Sequence, residues 1–394
     1  MLVSGPVGAR LVWVVASLAF AACAPGGGPL SSPSSAATPA AASLEAVTPF
    51  SGSYSTDDGG IVVIARMGWY FDLRDATYRT IYATASPNRF TIGPAFEEPL
   101  PKVADLVFAQ EQLTVRESGR TRSARRIDYR QTDVTIPSAG ANLAATITEP
   151  LTAGPHPGIV VVHGAEPGER YFYDVWVGIY ASLGLDVLTY DKRGIGASTG
   201  TYPGEFPTSE ALSFYADDAE AAREFLSRWP GVDARRTGFH GGSQGGWTVP
   251  LAMSRHADAG FAVQVSAPAT TVDQTDLWAG FSGHGATMPA ETTDQMLAAV
   301  RATHSGFDPA PALSAITVPV LWVLGTNDRT VPTAVSIEII DSLHKPNFTV
   351  QQVATGHGLL VNPTGLNADD ARSAGLAPQL VPTLRGWLGK VLAF

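Results

Sequence analysis

A chain of 394 residues that is 45% hydrophobic and only 16% charged can build a sizeable core, so a disordered or coiled-coil protein is excluded. At roughly 150 residues per domain there is room for two or three domains, or for one large domain with appendages. The 26 Lys+Arg against 36 Asp+Glu give a net charge of −10 without any long basic run, which argues against a general nucleic-acid binder.

The chain opens with one cation, Arg10, an apolar stretch from Leu11 to Ala22, and then its single cysteine, Cys23. That stretch is too short to cross a bilayer core of about 30 Å as a helix, and it suits the apolar region of an export signal over residues 1–22. Ala21 and Ala22 before Cys23 resemble the lipobox of bacterial lipoproteins, with Phe20 where leucine is usual; cleavage after Ala19-Phe20-Ala21 fits the same segment. Either cut predicts an exported protein, lipid-anchored at the cell envelope through Cys23 or secreted. One cysteine also excludes an intramolecular disulfide and a multi-Cys metal site. Residues 23–44 are almost wholly Ala, Pro, Gly, Ser and Thr and read as a flexible tether.

Residues 45–130 carry short alternating or aromatic runs, at 61–65, 69–73, 79–83, 89–92, 104–109 and 112–116, separated by turn-forming residues. This predicts a small antiparallel β-domain, far too short for a propeller whose blades take about 40 residues each. From residue 131 strands alternate with helices, the pattern of a mainly parallel sheet covered on both faces. The predicted strands are 133–136 and 142–148 as a hairpin, then 158–163, 185–190, 237–241, 260–266, 318–325 and 347–353. The clearest helix, 211–229, places Leu212, Tyr215, Ala219, Ala222, Phe225 and Trp229 on one face. Residues 267–317 are long for a crossover and predict a helical lid.

The pattern Gly-x-Ser-x-Gly occurs twice, at 241–245 and 196–200. A nucleophile elbow needs an apolar strand running into it and a helix leaving it, and only Ser243 has both; Ser198 sits in a loop followed by Thr-Tyr-Pro-Gly. A serine hydroxyl needs a base, and the base needs an orienting carboxylate. Asp328 and His357 follow Ser243 in the chain, each just past a predicted strand, where such sheets bind ligands. Asp328 also reads as a turn or helix cap ahead of Pro332. Among the other histidines, His240 lies inside a strand and reads as a packed residue. His163, in His163-Gly164-Ala165-Glu166, reads as shaping a loop. That loop and the residue after the serine assign the backbone N–H groups of Ala165 and Gln244 to an oxyanion hole.

Val160-Val161-Val162-His163-Gly164, the run Tyr190-Asp191-Lys192-Arg193-Gly194-Ile195-Gly196-Ala197-Ser198-Thr199-Gly200, Gly242-Ser243-Gln244-Gly245-Gly246, Asp328 and His357 together resemble the α/β-hydrolase superfamily. They are most similar to exported bacterial serine esterases related to dienelactone hydrolases and to prolyl-oligopeptidase-type catalytic domains. The resemblance covers about residues 131–394 and implies an α/β-hydrolase fold with a Ser–His–Asp mechanism that uses no metal and no organic cofactor. Gly242 stands where many members have His, and the β-rich segment is an appendage found in some of them. The reaction expected is hydrolysis of a small-molecule ester or short acyl substrate. Acyl-peptide or aminoacyl amide cleavage would use the same residues, and a non-catalytic envelope-binding lipoprotein is the alternative from another class.

Overall fold

The computed structural model describes residues 38–204, 207–256 and 258–393; the export segment, Cys23 and most of the tether lie outside the described residues. The compositional end of the tether at residue 44 falls too late. Ala42 N–H donates to Ile81 O, Ala83 N–H donates to Ala40 O, and Ala41 bridges Tyr82. Small uncharged residues join a sheet edge as readily as they form a tether, so composition does not mark this boundary. Ser43 then caps a one-turn helix, α1 (Leu44–Val47).

Eight antiparallel strands follow: β1 (Gly52–Thr56), β2 (Ile61–Ala65), β3 (Trp69–Asp72), β4 (Tyr78–Ala83), β5 (Arg89–Ile92), β6 (Ala104–Ala109), β7 (Gln112–Glu117) and β8 (Arg120–Arg126). Each pairs with the next and β8 returns to β1, closing a barrel. The sequence reading lacks β1 and β8. Gly-Ser-Tyr-Ser-Thr has no apolar alternation, and Arg-Thr-Arg-Ser-Ala-Arg-Arg buries Ala124 alone, so pairing with neighbours on both sides rather than side-chain burial holds β8 in place.

Strand β2 is apolar throughout because its two faces serve two cores. Val62 and Ile64 point into the barrel beside Tyr54, Phe90 and Phe108, while Val63 and Ala65 join a core shared with the following domain. Gly178 of the first catalytic-domain helix makes that contact possible: a Cβ there would lie 2.4 Å from Val63. The same junction carries a bidentate pair, Arg66 to Asp174, with Nη2–Oδ1 at 2.7 Å and Nε–Oδ2 at 2.9 Å.

The second domain is an eight-stranded sheet formed by β9 (Tyr129–Ser138), β10 (Ala141–Pro150), β11 (His156–Val162), β12 (Asp186–Tyr190), β13 (Val232–Gly242), β14 (Phe261–Val265), β15 (Val320–Gly325) and β16 (Phe348–Val353). Its order is β16-β15-β14-β13-β11-β12-β10-β9, parallel except for the pairings of β10. Alternate residues of the central strands feed two cores: Ile159, Val161, Val263 and Val323 on one face, Val160, Val162, Ala262 and Trp322 on the other. Helices α2 (Asp174–Ser182), α3 (Ser209–Ser227) and α4 (Gly245–Arg255) form the crossovers that cover both faces.

The segment predicted as a helical lid contains α5 (Val272–Phe281), α6 (Thr293–Ala302) and α7 (Ala310–Ala315). Capping boxes at Thr271/Gln274 and Thr292/Gln295 start α5 and α6. Helix α8 (Thr333–Ser342) precedes β16. An excursion with one short helix, α9 (Asn367–Asp370), leads to the terminal α10 (Leu380–Leu392). The barrel grips that excursion: Phe96 N–H donates to Ser373 O, Glu97 N–H to Ala371 O and Leu376 N–H to Ala76 O.

Candidate active site

Strand β13 delivers Ser243 at its carboxyl end and α4 leaves two residues later. The Ser243 backbone has φ of +49°, a left-handed value that side chains rarely adopt, and two backbone bonds hold it there: Ser243 N–H to Val265 O and Gly246 N–H to Ser243 O. The turn lifts the hydroxyl above the sheet edge, where the N-terminus of α4 faces it. A Cβ at Gly242 would meet nothing nearer than 3.9 Å, so the absent histidine there leaves the turn unaltered.

Asp328 follows β15 and His357 follows β16, so three strand ends converge. His357 Nδ1 is 2.8 Å from Asp328 Oδ2, and His357 Nε2 is 3.1 Å from Ser243 Oγ. Facing a carboxylate, Nδ1 carries the proton and Nε2 is left to accept from the serine. Asp328 meets both expectations at once. Its Oδ1 accepts from the backbone N–H of Thr330 and Val331, which is a turn cap, while Oδ2 orients the imidazole. The Asp328 side chain is fully enclosed, whereas 19% of the His357 side chain is exposed.

Burial of His357 disfavours its charged form. The charge of Asp328 and its hydrogen bond outweigh that, with smaller help from Asp370 and Glu166, and hold the imidazole above its ordinary value. Asp370 is kept in place by Asn362 Nδ2 at 2.8 Å. The turn after α5 also reaches this region: His284 is pushed down by burial and by the charge of His357, and Trp278 Nε1 of α5 donates to Asp328 O at 3.0 Å.

The loop after β11 lies against the elbow, since a Cβ on Gly164 would sit 3.6 Å from Ser243 Cβ. Ala165 follows Gly164 in that loop, and Gln244 follows Ser243 at the end of the adjacent strand β13. Gly164 N–H is taken by Tyr173 Oη at 3.0 Å, and the Tyr173 hydroxyl in turn donates to Glu166. Burial alone would raise the Glu166 carboxyl, but His163, the Lys192 charge and Tyr173 bring it down to about 2. His163 bonds Tyr190 O through Nε2 and lies 3.5 Å from Glu166 through Nδ1, so it shapes the loop. His240 is buried against Tyr180 Oη at 2.9 Å and burial depresses it to about 3. Ser198 is buried in a scaffold: its Oγ donates to Asp191 O at 2.7 Å and accepts from Ala144 N–H at 2.9 Å. Sequence reasoning missed Glu166, Tyr173 and Asp370. Glu166 sits in the motif after β11 and Tyr173 lies seven residues further along the same connection, whereas Asp370 arrives from the excursion after β16.

The strand order and the strand-to-helix turn define the class: this domain has the α/β-hydrolase fold. Residues 177–362 match the prolyl oligopeptidase family. Two uncharacterized proteins from strains of Mycobacterium tuberculosis are each 26% identical over 209 residues, 53% of this chain. The alignment spans 66% of their length. Among solved structures, the chain is similar to the esterase Pf2001 of Pyrococcus furiosus, with 16% identity, a TM-score of 0.48, and 67% of this chain and 92% of that one covered. It is also similar to Est1E of Butyrivibrio proteoclasticus, described with bound ferulic acid, at 18% identity and a TM-score of 0.46, covering 66% of this chain and 100% of that one.

Proposed function

We propose that the chain hydrolyses carboxylic esters through an acyl-enzyme on Ser243. The observation that carries this reading is the continuous hydrogen-bonded chain Ser243–His357–Asp328 at an elbow with left-handed backbone. As Ser243 Oγ bonds the ester carbonyl carbon, its proton passes to His357 Nε2 and the carbonyl π electrons move to oxygen, where the Ala165 and Gln244 N–H groups receive the charge. Collapse re-forms the carbonyl and breaks the bond to the alcohol oxygen, which takes the proton from His357. Water then repeats the sequence and releases the acid. A panel of esters of rising acyl length, run beside aminoacyl amides, tests the substrate class; the match to the prolyl oligopeptidase family makes the amides the informative competitor. Ester turnover at least about tenfold faster than any amide is expected, and the reverse order would assign amide cleavage to the same residues.

His357 must be neutral to accept the serine proton, and its surroundings favour the charged form. Activity is therefore expected to rise with pH through an acid limb lying above about 6.5, the ordinary histidine value. A pH profile of kcat/KM checks this; a limb below that value would mean that burial outweighs Asp328.

Export to the cell envelope is proposed with it, supported by the apolar segment before Cys23 and the uncharged residues after it. A lipid anchor of two chains would hold stably. Cys23→Ala should release active enzyme or block maturation, and wild-type protein found wholly in the medium with Ala22 as its first residue would refute the anchor.

A further inference from the structure

Of the run Tyr190-Asp191-Lys192-Arg193-Gly194, the mechanism so far uses nothing, although Lys192 is a cation only 2% exposed. Its ammonium donates to Gly164 O at 2.7 Å, Glu166 O at 3.3 Å and Gln244 Oε1 at 3.2 Å, and it lies 4.3 Å from the Tyr215 ring centroid. The first two acceptors are the carbonyls on either side of Ala165, and the third belongs to the residue after Ser243. One buried charge therefore ties together the two loops that carry the assigned oxyanion donors.

The loop presenting Lys192 is itself fixed. Asp191 accepts from the N–H groups of Arg170 and Ala197, Ser198 bonds Asp191 O, and Arg193 forks onto buried Asp218 at 2.6 and 2.7 Å. The three donors of an ammonium suit convergent acceptors from three directions, which a planar guanidinium does not. Burying such a charge is costly, and the ionised Glu166 carboxyl of the same loop offsets part of that cost.

We propose that Lys192 is a positioning residue for the oxyanion hole, aiming the Ala165 and Gln244 N–H groups and adding positive charge behind them. This rests on the reading of Ser243 as nucleophile. Losing Lys192 should then weaken the transition state and leave substrate binding nearly alone.

The test is Lys192→Met, with active sites counted by fluorophosphonate labelling. Turnover per labelled site should fall about 10²-fold with KM within about threefold, and affinity for a trifluoromethyl ketone, which adds Ser243 to give a tetrahedral oxyanion, should fall by the same factor as turnover. Lys192→Arg should recover only part of both. A merely structural role would lower the melting temperature and the number of labelled sites while leaving turnover per site and ketone affinity unchanged. If Lys192→Met does not fold, Gln244→Met keeps the backbone N–H and deletes one acceptor; about a tenfold loss of turnover and ketone affinity is then expected. Turnover per site and ketone affinity within about threefold of wild type, in whichever variant folds, overturn the proposal. Wild-type protein that takes no label on Ser243 fails at the nucleophile instead, and the proposal falls with that reading.

Discussion

Ser243→Ala should give a folded protein whose turnover is lower by about 10⁴- to 10⁶-fold, the range expected when an acyl-transfer nucleophile is removed. The fold should survive because the bonds that hold the elbow, Ser243 N–H to Val265 O and Gly246 N–H to Ser243 O, belong to the backbone. Ser198→Ala makes the informative contrast. It removes a buried hydroxyl that serves Asp191 O and Ala144 N–H, so stability should drop by about 1–3 kcal/mol while turnover per folded molecule stays near wild type. Steady-state kinetics beside thermal melts separate the two serines. A catalytic collapse in Ser198→Ala with intact melting would reverse their assignment.

Asp328→Asn should lower kcat by about 10⁴-fold, and the structure shows why an isosteric change is so harmful. Oδ1 is held by the N–H groups of Thr330 and Val331 and must remain an acceptor. The asparagine amide would therefore keep its oxygen there and turn its NH2 toward His357 Nδ1. That forces Nδ1 to accept and moves the imidazole proton to Nε2, the atom that has to receive the serine proton. KM should change much less than kcat, since Asp328 is enclosed and out of reach of substrate. Near-wild-type turnover in this variant, with collapse on replacing another carboxylate, would identify a different acid.

The parallel sheet was readable because its strands are continuous apolar runs buried on both faces, and the elbow because a strand must precede it and a helix must follow. Asp328 and His357 were readable from their places just after predicted strands. What stayed hidden depends on partners distant in sequence. Strand β8 is mostly arginine and polar residues, and only closure of the barrel onto β1 makes it a strand. Residues 40–42 look like tether and become an added pairing on β4. Lys192 and Glu166 sit in motifs visible in the sequence, yet their contacts come from three strand ends meeting above the sheet, which local spacing does not encode. Asp370 reaches His357 because the excursion after β16 folds back, held by Asn362 on one side and gripped by the barrel on the other.

Covalent labelling tests Ser243 as the nucleophile without requiring a known substrate. Wild-type protein treated with a fluorophosphonate should gain one adduct, peptide mapping should place it on Ser243, and His357→Ala should slow its formation by several orders of magnitude. An adduct on Ser198 or elsewhere, or a folded protein that takes none, would show that Ser243 is not the nucleophile.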